Sequence, residues 1–215
     1  MPYVRHNLMT FDPEKRDAMM SVLNTGLDRV NEISGLRAVR VHFDTAQGAD
    51  NRLVITGFYD DKQAAEAARE RVKADLSTLS EFVVGEPIVR EGEIIWAFDA
   101  DGAPSIGQVV SGYMRHTTVG IDPSKLDALV AYADSTVGTL NSISGLRRIR
   151  VAAVKGTPPY KSEDRITVSS AFDSKEAADA ASEQTAGIWA GMAEFMADDP
   201  ERRVVGGDLI YAYSR

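Results

Sequence analysis

Ile33-Ser34-Gly35-Leu36-Arg37 returns, residue for residue, as Ile143-Ser144-Gly145-Leu146-Arg147. Working outward, the same offset recurs: Asp12-Pro13 is matched by Asp122-Pro123, and Tyr3-Val4-Arg5-His6 by Tyr113-Met114-Arg115-His116. Three separated motifs at one constant offset mark an internal duplication, and so long a period means two copies of a small domain, not a solenoid. At 215 residues each copy has the usual size of a domain, roughly 100 residues.

The two copies carry the same punctuation. Tyr3 to Phe11 mixes aromatic, branched and polar residues and reads as a strand. Asp12-Pro13 then starts a helix, with Asp at the N-cap and Pro where no amide is missed. Met19, Leu23, Leu27, Val30 and Ile33 form its apolar stripe, as do Leu129, Ala133, Val137, Leu140 and Ile143 in the copy. Gly35 and Gly145 end these helices with a positive φ. Two strands follow, 36–43 and 52–59, matched by 146–154 and 165–172, where the connecting loop is longer and holds Pro158-Pro159. A second helix starts at Asp60 with Gln63 three residues on, and at Asp173 with Glu176. Ala64, Ala65 and Ala68, matched by Ala177, Ala178 and Ala181, let it lie close on a sheet. The last strands are 93–98 and 208–213. The order β-α-β-β-α-β is the split βαβ, or ferredoxin-like, unit, giving an α+β chain of two tandem repeats, 1–98 and 113–215, with a linker at 99–112.

Such a sheet has helices on one face, so the other must be covered or solvated. On the second strand Val39, Val41 and Phe43 suit the helix side, which leaves Ala38, Arg40 and His42 for the other. A mixed face of this kind fits a sheet packed on its twin around a partly wet cavity.

Gly-Leu-Arg at Gly35 and Gly145, with Tyr59-Asp60-Asp61-Lys62-Gln63-Ala64 and Phe172-Asp173-Ser174-Lys175-Glu176-Ala177, resembles the dimeric α/β-barrel superfamily, in particular antibiotic-biosynthesis monooxygenase-like proteins. Most members pair two short chains into an eight-stranded barrel, so the resemblance implies a pseudo-dimeric α/β barrel with the protomers fused. It also implies a choice among cofactor-free oxygenation, haem chemistry, isomerisation and lactonisation. Haem-degrading relatives place an axial histidine on the second helix; 60–82 and 173–197 contain none. The tryptophan common at the end of the third strand is Tyr59 or Phe172 here.

Composition removes several classes. With no cysteine, disulfides, thiolate metal sites and thiol nucleophiles are excluded. Three histidines show no metal-ligand spacing, and Gly206-Gly207 reads as a turn, not a phosphate cradle. No metal or cofactor is expected. A net charge of -8 argues against nucleic-acid and anionic-membrane partners. No apolar run nears the ~18 residues of a bilayer span and no signal pattern opens the chain, so the cytoplasm is the expected location.

His6 and His116 occupy the same repeated strand position and are the candidate proton-transfer groups. Arg5, Asn7, Arg40, His42, Tyr59, Arg115 and Arg150 are the candidate ligand-binding residues, with guanidinium groups to fix a carboxylate or phenolate. Strand alternation forbids Arg5 and His6 from sharing a face; the parity of Arg5 and Asn7, with Arg115 and Thr117, is expected to face the lumen. The plainer reading is that duplicated residues pack or pair in the same place twice, Arg40 and Arg150 with acids such as Glu93 and Asp208. Tyr59, Trp96, Phe98, Tyr211 and Tyr213 read as core or as an aromatic pocket; Ile188, Trp189, Met192 and Phe195 as packing. Thr117, Ala152 and Phe172 replacing Asn7, His42 and Tyr59 point to the first half as the active one. The expected function is a small-molecule site for an anionic or aromatic metabolite, oxygenase-like or isomerase-like, in a protein that can also form a homodimer. The alternative is a non-catalytic module with a packed barrel.

Overall fold

The computed structural model describes residues 1–46, 51–103, 112–156 and 163–215. Its strands are β1 (Tyr3–Thr10), β2 (Leu36–Phe43), β3 (Arg52–Tyr59), β4 (Ile88–Asp99), β5 (Tyr113–Gly120), β6 (Leu146–Lys155), β7 (Asp164–Phe172) and β8 (Arg203–Ser214). The helices are α1 (Arg16–Leu27), α2 (Lys62–Ala67), α3 (Arg69–Ser77), α4 (Leu126–Ser135), α5 (Val137–Asn141), α6 (Lys175–Gln184) and α7 (Ala186–Gly191). The strands close an antiparallel barrel in the order β1-β3-β2-β8-β5-β7-β6-β4. This is the pseudo-dimeric α/β barrel expected from the duplication. The Pro158-Pro159 loop and 104–111 of the expected linker lie outside the described residues. Among the described residues no helix is long and apolar enough to cross a membrane.

The two motifs behind the resemblance prove to be halves of one contact. Gly35 (φ 71°) and Gly145 (φ 77°) adopt the left-handed conformation, and a Cβ on either would stand 2.5 or 2.7 Å from the Ala64 or Ala177 methyl. The Gly35 and Gly145 carbonyls accept from the Asp60 and Asp173 amides, whose carboxylates pair with Arg37 and Arg147. That pairing corrects the expected caps. Asp61 and Ser174, one residue later, accept from the Ala64 and Ala177 amides, because Asp60 and Asp173 are engaged across the turn.

β4 and β8 are longer than expected because each serves both halves. β4 pairs with β1 over Ile88–Glu93, then with β6 over Gly92–Asp99. β8 pairs with β5, then with β2, in the same way. The sequence signal covered only the far, aromatic segments; Arg90, Glu91, Gly206 and Gly207 masked the near ones. Gly206-Gly207 is therefore strand, not turn. A Cβ at Gly92 would collide with the Ala153 carbonyl, and one at Gly207 with the Phe43 carbonyl, so only glycine lets the strand change partners there.

Two cores lie between sheet and helices. Tyr211 and Tyr213 of β8 pack into the first-half core, and Trp96 and Phe98 of β4 into the second-half core. Inside the barrel Val4, Phe58, Ile94, Ala152 and Val154 form one apolar cluster and Leu8, Val54, Ile88 and Val205 another. Tyr3 and Met9 are buried on the helix side, and this sets the parity of β1: Arg5 and Asn7 turn to the helices and His6 to the lumen. The expected lumen parity is thereby reversed, as it is for Arg115 and Thr117.

Candidate functional site

The histidines occupy the middle of the lumen. His116 stacks on His42 (centroids 5.3 Å, 16° between planes) and meets His6 edge-on at 4.9 Å. His6 Nδ1 shares a hydrogen bond with Thr56 Oγ1 (3.0 Å), and His116 Nδ1 with Ser169 Oγ (2.8 Å). His42 Nδ1 donates to the Phe43 carbonyl (3.0 Å). None of the three Nε2 atoms has a hydrogen-bond partner among the described residues. Burial, then the charge of Arg90, pushes the His6 pKa down to about 3; burial lowers His42 and drives His116 well below the usual range. Buried and with lowered pKa values, these are neutral imidazoles. Among the described residues no group of three or more histidines and carboxylates is placed to hold a metal ion.

At one end of the lumen Arg40, Arg148 and Arg150 line a cavity of about 400 Å³ with Phe58, Ile94 and Met114. The expected partners Glu93 and Asp208 are not used: Asp99 pairs with Arg148 and Arg150, since it ends the crossing strand beside them.

Arg5, Asn7, Tyr59 and Arg115 lie across the sheet, on the helix side. Arg5 pairs with Glu91 at 2.5 Å, and Glu91 also takes Arg69. These three line an open groove of about 520 Å³ beside α3. Under α1 the first half keeps a cavity of about 70 Å³, lined by Asn7 and Tyr59. The Tyr59 ring lies back over Gly57, its hydroxyl 3.0 Å from where a Cβ would stand.

The second half holds about 400 Å³ in the equivalent place. Leu129, Leu140, Ile149, Val151 and Phe172 form its floor and walls, and both tryptophans of the chain, Trp96 and Trp189, line it. Trp96 Nε1 donates to Asp134 (2.7 Å), which fixes its ring. Arg115 and Arg202 lie at the cavity wall. Arg115 donates to the Ala178 carbonyl, Ser182 Oγ and Asp179; Arg202 lies over the Trp189 ring at 4.5 Å. Burial, then the charge of Arg115, lowers the Arg202 pKa, so the two cations feel each other.

The expected site residues thus fall in three places. The histidines are central in the lumen, Arg40 and Arg150 at its mouth, and Arg5, Asn7, Tyr59 and Arg115 beneath the helices. Among the described residues no histidine, aspartate or glutamate lines the second-half cavity, and those that do line it do not fit a histidine-held haem. Trp189, Met192 and Ile188 face this space as well as packing, and it is larger than its first-half counterpart. Trp96 reads from the sequence as core or aromatic pocket; that it serves the other half follows only from β4 crossing to β6.

No protein-family model matches the chain, and no curated protein sequence does. Solved structures do. A candidate monooxygenase from Fusobacterium nucleatum superposes with a TM-score of 0.76 at 10% identity, over 100% of this chain and 94% of the other. A candidate monooxygenase from Lactobacillus acidophilus gives 0.72 at 11% over 99% and 96%. An anthrone oxidase-like protein gives 0.72 at 17% over 99% and 93%.

Proposed function

The chain has the dimeric α/β-barrel fold with both protomers fused, and on that premise we propose that its second-half cavity binds a flat aromatic anion for monooxygenase-like chemistry. One observation carries the reading: an apolar, aromatic-walled cavity of about 400 Å³ has two guanidinium groups, Arg115 and Arg202, as its cations. The volume suits a drug-sized molecule. The rings of Trp96, Trp189 and Phe172 offer faces for stacking. A guanidinium pair favours the ionised form of a phenol or enol, the electron-rich form that dioxygen attacks. Among the described residues no carboxylate or imidazole lines the wall, so the substrate must be acidic enough to ionise beside Arg115 and Arg202. The cavity's part is to orient the ring and exclude water.

Both tryptophans report on the site. A polyphenol titrated into the protein should quench their emission, and its fully methylated ether should bind far less. Ala133→Phe, which fills the cavity, should abolish quenching. Oxygen uptake with the bound polyphenol then separates enzyme from carrier. Absence of quenching across ionisable aromatics would end the proposal. A wall in which no described residue is a carboxylate or imidazole favours, as the second reading, a carrier that binds the same class without turnover.

A further inference from the structure

The duplication makes Arg40 and Arg150 twins, and the comparison between them exposes a difference. Each guanidinium uses Nη1 to hold the carbonyl of the preceding residue, Val39 or Ile149, and the carbonyl of the crossing strand, Tyr213 or Phe98. At Nη2 they part. Arg150 donates to both Asp99 oxygens at 2.9 Å, whereas Arg40 meets Ser214 Oγ at 2.8 Å. Asp99 also serves Arg148 at 3.2 Å. Asp99 thus pairs with both Arg148 and Arg150, whereas among the described residues Arg40 has no carboxylate, although it is only 6% exposed. Burying a charge without a counter-ion is costly. Desolvation and the charge of Arg148 push the Arg40 pKa down to about 10, the response expected of a cation short of a partner.

We propose that this end of the lumen is a second binding site, taking a small organic anion whose carboxylate or phosphate group meets Arg40 beside Arg148. The planar guanidinium fork matches either head group. Phe58, Ile94, Met114 and Ala171 line the same cavity of about 400 Å³ and receive the apolar body. The site lies inside the barrel, across the sheet from the cavity under the helices, and does not depend on what that cavity binds.

Ser214→Asp tests it by installing on Arg40 the carboxylate that Arg150 already has, without removing an arginine. Calorimetric titration at fixed ionic strength, with phenyl phosphate and with benzoate, should show binding to the natural protein. Affinity should drop about tenfold or more in Ser214→Asp, the scale of one charge-assisted contact, and stay unchanged in Ala133→Phe. The better ligand of the two identifies the head group. Unaltered affinity in Ser214→Asp, loss of binding in Ala133→Phe, or no binding of either anion would overturn the proposal. A thermal melt of Ser214→Asp equal to or above that of the natural protein shows that the fold is intact.

Discussion

His6, His42 and His116 illustrate how a single residue type changes meaning with its surroundings. Exposed imidazoles titrate near neutrality; these three are at most 2% exposed and stay neutral. The His6 pKa lies at about 3 when folded and returns to about 6.5 on unfolding. Between those values the unfolded chain binds more protons, so the stability is complete above about pH 6.5 and falls as the pH drops toward 3. The slope is up to about 1.4 kcal/mol per pH unit for each such ring. Urea denaturation at pH 7.5, 6.5 and 5.5, a range in which ordinary carboxylates stay ionised, should show this fall. His6→Gln should flatten it by up to one ring's share; an unchanged slope would mean that His6 is charged in the folded protein.

Among the elements, β4 and β8 do most to join the molecule. Gly92→Ala forces a methyl group onto the Ala153 carbonyl and should cost about 1–3 kcal/mol or more. Gly26→Ala is the control: nothing stands within 4 Å of its Cβ, and in α1 it should add about 0.5–1 kcal/mol. Denaturant midpoints of the two variants should move in opposite directions. Helix starts give a second contrast. Asp61→Ala removes the bond to the Ala64 amide and should cost about 1 kcal/mol, more than Asp60→Asn, which loses only a solvent-facing ion pair with Arg37. Equal losses by thermal melting would show that Asp60 shares the cap.

At the scale of the whole molecule, the halves are similar but not self-sufficient. Each core is completed by aromatics from the other half's last strand: Tyr211 donates to the Leu27 carbonyl at 3.0 Å, and Trp96 reaches Asp134 of α4. Fragments 1–103 and 112–215, purified apart and then mixed, should form a one-to-one complex with the circular dichroism of the intact chain. Either fragment that stays folded and monomeric alone would contradict the shared cores. Closure within one chain also leaves the two halves free to diverge, as the cavities of about 70 and 400 Å³ under their helices record.

Duplication, element order and barrel class were legible in the residues, because helix caps, glycine stops and apolar spacing are local and appear twice at one offset. Even the doubled Gly-Leu-Arg and acid motifs were visible, though not that Arg37 and Asp60 answer each other. The facing of β1 was not legible. Val4, His6 and Leu8 look no more inward than Tyr3, Arg5 and Asn7, and only packing against α1 resolves the alternation. Nor were the sites. The candidate cavities take residues from β4 after it leaves its own half, so Trp96 and Trp189 line one cavity, and Asp99 rather than Glu93 meets Arg150. Those contacts depend on where strands cross in space, which residue spacing along the chain does not encode.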